Sequence, residues 1–118
     1  MQSNKGDNII VSLTFEFALS IIKYVELLEN VKHYVIARQL LKSGTSIGAN
    51  VRESQNAESK TDFIHKMKIA AKEADETEYW LLLCSKSNGY PPCEELLIKI
   101  SSIIKVLLKI ISSSKAKQ

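Results

Sequence analysis

Ser43-Gly-Thr-Ser-Ile-Gly-Ala-Asn-Val-Arg-Glu-Ser54 is the stretch whose reading decides the fold. Gly44 and Gly48 stand inside what otherwise reads as a helix, where each costs about 1 kcal/mol relative to alanine unless something offsets it. Ser43, Gly44, Ser46, Gly48 and Ala49 are all small. The expected offset is therefore a second helix backbone approaching nearer than the usual axis separation of about 8–10 Å. The alternative is a loop at Ser43-Gly-Thr-Ser46 that splits the segment into two short helices, since these residue types favour turns. A seam that keeps its phase across both glycines favours one helix: Ile36, Leu40, Ser43, Ile47, Asn50, Ser54 and Ala57 alternate spacings of four and three. On this seam Asn50 faces a partner helix, where a buried amide fixes register at a cost in stability. Glu53, one turn on, either joins it in a polar network or faces solvent.

The partner lies downstream, centred on residues 69–83. Ser59 and Asp62 have the spacing of a capping box that opens a helix. Behind them Phe63, Met67, Ala70, Ala74, Thr77, Leu81 and Cys84 repeat the alternation of four and three, a core seam matched to the first. This helix is expected to reach about Ser87 and to stop at Gly89. Near its end Tyr79, Trp80, Leu81, Leu82 and Leu83 are consecutive and cover every side, which calls for burial all round. Tyr79, Trp80, Leu82 and Leu83 are thus candidate contacts of an oligomer; the alternative is that Tyr79 and Leu82 are ordinary exposed apolar residues.

Two further amphipathic segments complete the pattern. Residues 1–11 read as a flexible lead-in, and from Ser12 to Glu29 the polar positions Glu16, Ser20, Lys23, Glu26 and Glu29 form one narrow stripe on an otherwise mostly apolar helix. Such a helix needs burial on two sides. The second helix spans about His33 to Ala57. Pro91 and Pro92 mark a sharp corner, with Pro92 as the expected first residue of a fourth helix that runs to about Ser112. That helix buries Leu96, Ile100, Ile103, Leu107 and Ile110, and residues 113–118 read as a disordered tail. The expectation for residues 12–112 is an all-α, antiparallel up-and-down four-helix bundle.

Length and composition agree with one soluble globular domain: 118 residues, 45% hydrophobic and 25% charged. Lys23, Lys105 and Lys109 interrupt the most apolar runs, and the first residues lack a signal-peptide core, so a cytoplasmic protein without a membrane partner is expected. Cys84 and Cys93 flank the Asn88-Gly-Tyr-Pro-Pro92 turn. A disulfide or a shared zinc was weighed for them; packing thiols are the expectation, because two thiols do not close a zinc site and a cytosolic chain keeps thiols reduced.

Little of the sequence points to catalysis. A di-iron bundle takes a glutamate from each of two helices and Glu-x-x-His from each of the others. This chain offers Asp62-Phe-Ile-His65 near a helix start and no second copy. Glu73, Glu76 and Glu78 crowd one helix but read as solvated or network-forming charges, and no phosphate-cradling glycine loop precedes a helix. No cofactor and no metal are expected. Arg38, Lys42 and Arg52 lie on one helix face, with Lys99, Lys105 and Lys109 on another helix. They read either as a solvated face or as phosphate contacts along a nucleic-acid backbone, which give salt-sensitive binding with little sequence preference. The net charge of +3 permits that binding without demanding it.

Three stretches carry a family resemblance: Ser46-Ile-Gly-Ala-Asn-Val-Arg-Glu53, Ser59-Lys-Thr-Asp-Phe-Ile64 and Lys72-Glu-Ala-Asp-Glu-Thr-Glu-Tyr-Trp-Leu81. Over roughly residues 12–112 the chain resembles the four helix bundle protein family, whose founding members are encoded in intervening sequences of bacterial large-subunit ribosomal RNA genes. The resemblance implies a cytosolic bacterial protein, a left-turning antiparallel bundle and a homopentameric barrel. A related branch, the accessory variability protein of diversity-generating retroelements, is similar in fold and works beside a reverse transcriptase by binding nucleic acid. The recurrent polar positions of the family map onto Asn50, Glu53, Glu73 and Glu76, read here as a register-fixing network. The expected function is a noncatalytic homo-oligomeric bundle that binds RNA or DNA through its basic face. The alternative is a structural adaptor that docks a protein partner on an oligomeric ring, with Tyr79 or Trp80 in the contact.

Overall fold

The computed structural model describes the backbone of residues 5–116 and the side chains of residues 9–116. Four helices make up the described chain: α1 (Lys5–Asn30), α2 (Tyr34–Ser54), α3 (Lys60–Ser85) and α4 (Glu94–Ala116). Each packs on its neighbours in sequence, α4 closes against α1, and the backbones of the diagonal pairs stay apart. Short turns at 31–33, 55–59 and 86–93 reverse the chain, giving a rod of 48 × 20 × 20 Å. The all-helical bundle expected from periodicity is what forms.

Both ends of the domain depart from the expectation. The lead-in is helical from Lys5 onward, and Ile10 is fully buried, so α1 starts a turn or two earlier than the polar composition suggested. At the other end α4 continues through the serines to Ala116. Helix propagation adds one hydrogen bond per residue, so a helix anchored by tertiary packing runs on through residues of modest propensity. Residues 1–4 and 117–118, the remainder of the expected lead-in and tail, lie outside the described residues.

The glycine stretch is one unbroken helix, and its close approach is made against α1 rather than α3. A β-carbon on Gly48 would stand 3.2 Å from the Thr14 carbonyl oxygen, and one on Gly44 would stand 2.9 Å from both γ-carbons of Ile21. Facing α3, the seam holds as expected: Leu40, Ser43, Ile47 and Ser54 are buried against Phe63, Met67, Ala70, Ala74, Thr77, Leu81 and Cys84 of the same core. At its centre Thr77 Oγ1 lies 2.9 Å from Ser43 Oγ and 2.8 Å from the Glu73 carbonyl oxygen. Both side chains are fully buried, and the pairing gives the Ser43 hydroxyl a partner inside the core.

The helix termini follow local chemistry. Ser59 Oγ accepts the Asp62 N–H at 3.0 Å, and the Asp62 carboxylate accepts the Glu58 N–H at 3.2 Å. The box therefore reaches one residue further back than the usual reciprocal pair. α1 ends with the His33 N–H on the Leu28 carbonyl and the Lys32 N–H on the Glu29 carbonyl, which places Lys32 at a φ of 67°. This is the Schellman closure with lysine where glycine is usual. Pro92 is not the first helical residue: α4 starts at Glu94, and the Cys93 carbonyl takes the first helical bond, from Leu97.

The Gly44 contact yields a direct test. Alanine at an unobstructed helical glycine gains about 1 kcal/mol, whereas overpacking a stiff buried side chain costs about 1–3 kcal/mol. Gly44→Ala is expected to lower stability in urea denaturation, by about 1 kcal/mol net, with the β-branched Ile21 unable to yield.

Candidate functional site

The outer face of α2 carries the basic residues. Arg38, Lys42 and Arg52 are all exposed, because the inner face of the same helix is spent on Ala37, Leu40, Ile47 and Val51. Among the described residues none of the three forms an ion pair within 4 Å; the one such pair joins Lys66 to Glu53 at 3.3 Å. Arg52 also borders a groove between α1 and α2, floored by Thr45, Gly48 and Ala49 and walled by Val11 and Phe15. Lys99, Lys105 and Lys109 are exposed too, but α4 is diagonal to α2. Within one chain the two basic sets therefore lie on opposite helices of the bundle and make no common patch.

The four polar positions expected to form a network are engaged separately. Asn50 is half-buried and donates through Nδ2 to the Ser46 carbonyl of its own helix at 2.9 Å. Glu53 pairs with Lys66 across α2 and α3. Glu76 accepts the Trp80 indole N–H at 3.1 Å. Burial pushes the Glu73 carboxyl up, the neighbouring Glu76 charge adds to this, and Lys42 and Lys72 oppose it. Among the described residues no hydrogen bond links the four to one another. The buried polar tie between α2 and α3 is instead Ser43 with Thr77, two residues that the apolar-seam reading counted only as small side chains.

The end of α3 is not buried all round in the single chain. Leu81 is fully buried, while Tyr79, Leu82 and Leu83 are 56%, 45% and 39% exposed. Trp80 is half-buried, with Tyr79 packed edge-on at 5.3 Å. α1 likewise shows apolar residues on two flanks: Phe15 beside the α1–α2 groove, and Leu13 beside a second groove that it shares with Ile98 and Ile103 of α4. Asp62 is committed to capping α3 and His65 is exposed, so the Asp62-Phe-Ile-His65 run is not assembled as a ligand pair.

Three long-range contacts had no local signal. Tyr24 Oη donates to the Pro91 carbonyl at 2.6 Å across 67 residues of sequence. His33 stacks on Tyr90 with centroids 3.8 Å apart and planes 3° from parallel, and His33 Nε2 lies 3.2 Å from the Gly89 carbonyl oxygen. These contacts bind the first turn to the third. Cys84 and Cys93 are buried free thiols, and Cys93 Sγ donates to the Leu81 carbonyl at 3.3 Å. Burial pushes both thiols up, as it does the Tyr24 phenol beside them.

Residues 6–113 match the family described as 23S rRNA-intervening sequence protein. A solved structure from Bacteroides thetaiotaomicron, a protein of unknown function from the S23 ribosomal protein family, is 41% identical and superposes with a TM-score of 0.86. The alignment covers 91% of this chain and 98% of that one. No curated protein matches the chain.

The thiol environment sets a pH dependence. An acid held above its ordinary value supports folding below the unfolded value, about 8.5 for cysteine, and that support is lost as pH rises because the unfolded chain ionises first. Stability in urea is expected to be level up to about pH 8 and to fall on going to about pH 10. Iodoacetamide near pH 8 is expected to label Cys84 and Cys93 slowly in the folded protein and rapidly in denaturant, a rate that mass spectrometry follows.

Proposed function

The chain belongs to the 23S rRNA-intervening sequence protein family, and from that premise we propose that it is a noncatalytic homo-oligomeric bundle that binds structured RNA or another nucleic acid through Arg38, Lys42 and Arg52. The observation that carries this reading is the outer face of α2: three exposed cations on one helix without an ion pair. A cation paired with a carboxylate must lose that partner to take a phosphate; among the described residues none of the three is so paired, although Lys42 stands near enough to Glu73 for its charge to act on that carboxyl. Phosphate contacts of this kind give binding that weakens steeply with salt and depends little on sequence. The name of the family, which places its founding genes inside ribosomal RNA, accords with an RNA ligand.

Assembly makes a modest charge sufficient. The grooves on either side of α1 differ in shape and residues, and two unlike apolar patches on one subunit are what a head-to-tail ring requires. A homopentameric ring repeats the α2 face around its circumference, and linked weak sites gain avidity without any new contact. In such a ring the α4 lysines of one copy reach a different stretch of the same nucleic acid. Exposed Tyr79 favours a second reading, an adaptor that docks a protein partner on the ring. A copurifying protein without nucleic-acid absorbance would select that reading.

Two measurements test the proposal. Light scattering is expected to return about five times 13.2 kDa, and a monomer at micromolar concentration overturns the ring. Reversing Arg38, Lys42 and Arg52 to glutamate is expected to abolish binding to structured RNA at low salt, by about a hundredfold or more, with the oligomer mass unchanged. Equal affinity of the variant overturns the assignment of the site.

A further inference from the structure

We infer that the end of the bundle where the first and third turns meet is a base-stacking site, and that the nucleic acid bound on α2 is single-stranded where it passes this end. The inference rests on the proposed nucleic-acid reading and specifies its ligand. A groove of about 600 Å³ opens there between α2 and α3, lined by Lys32, His33, Tyr34, Gln39, Trp80 and Tyr90 among others. Four of the eight lining side chains are aromatic rings, one is a cation, one an amide, and Val35 and Ile36 are aliphatic. Among the described residues no carboxylate lines the groove.

The rings are held in place before any ligand arrives. His33 and Tyr90 form a parallel stack, and the Trp80 indole is fixed by its bond to Glu76 and by the edge of Tyr79. Tyr34 remains 52% exposed and Trp80 only half-buried, so the π-faces are not consumed by the core. A nucleobase is flat, apolar on its faces and polar at its rim, and stacking on such rings is tolerant of sequence. Gln39 offers both an amide donor and an acceptor to the rim of a base.

Charge decides between a base and an apolar peptide as the occupant. Lys32 stands at the mouth of the groove, and Tyr34, Arg38 and Lys42 follow at intervals of four residues along α2. Each interval advances about 6 Å along the helix, one side chain per turn on the same face. A strand whose base enters the groove thus leaves it with its phosphates running past Arg38 and Lys42. A duplex keeps its bases stacked within itself and cannot use the groove. Two acids border this path: Glu76 accepts the indole N–H, where it orients the ring while repelling a phosphate laid on that side, and Glu73 lies near Lys42.

Trp80 is the single tryptophan of the chain and therefore reports on its own site. Oligouridylate and a blunt RNA duplex of equal length are titrated at low salt by tryptophan fluorescence, and by anisotropy of labelled RNA for the variants. Quenching of Trp80 by oligouridylate and not by duplex is expected. Trp80→Leu is expected to weaken oligouridylate about tenfold and to leave duplex affinity unchanged. Lys32→Gly suits the left-handed backbone at that position and removes the side chain with its charge, so its several-fold loss on oligouridylate cannot be ascribed to misfolding. Glu76→Gln keeps an acceptor for the indole and removes the repulsion, and is expected to tighten oligouridylate. If Trp80→Leu binds oligouridylate as wild type does, or weakens both ligands alike, the stacking site is overturned while the α2 assignment stands. If neither RNA binds, both readings fall. A drop in scattering mass for Trp80→Leu without quenching in the wild type would make the groove a contact between copies and overturn the inference.

Discussion

α2 lies against α1 with almost nothing between the two backbones at Gly48, where a β-carbon would press on the Thr14 carbonyl. That contact sets the depth at which α2 sits in the bundle, and much else follows from it. With Gly44 admitting Ile21 on the same side, the larger residues of α2 turn toward α3, and the Ser43 hydroxyl meets Thr77 at the centre of that interface. A glycine in a helix is a local cost that only a neighbour can offset. Here the neighbour is a backbone and a β-branched side chain, both of which yield little.

The division of labour on α2 is a consequence. Its inner half is small or apolar and serves packing, so its charges are confined to the outer half, where Arg38, Lys42 and Arg52 stand without an ion pair among the described residues. The bundle is long and thin, at 48 × 20 × 20 Å, and each helix shows nearly half its circumference to solvent. A rod of this shape presents long helical faces, which are suited to contacts repeated at one residue per turn. The same geometry leaves apolar flanks on α1 that a single chain cannot cover.

The two ends of the rod differ in kind. At one, the Schellman turn after α1 and the turn before α4 are joined by the His33–Tyr90 stack and by Tyr24 on the Pro91 carbonyl, which gathers aromatic residues from three helices and two turns. At the other, Lys115 of α4 stands beside Lys68 of α3 and pushes the Lys68 ammonium down.

Periodicity was enough to read the four helices, the buried face of α3 and the capping of its start, because these depend on residues within a few positions of one another. The continuity of α2 through its glycines was legible for the same reason: a seam keeps its phase only on one helix. Which helix fills the glycine groove was not legible, since α1 and α3 both offer apolar faces and only three-dimensional packing selects between them. The network reading of the four polar positions comes from the family resemblance; in the fold Asn50, Glu53 and Glu76 bond to other groups, and the buried hydroxyl pair forms elsewhere. The basic residues of α2 and α4 were grouped by charge, and the diagonal placement of those helices separated them. Sequence alone determined local structure and the inner face of each helix, through the repeat of 3.6 residues per turn. Tertiary structure decided pairing, register and which exposed side chains stand together, because those depend on contacts between residues that lie 34 to 67 positions apart in the chain.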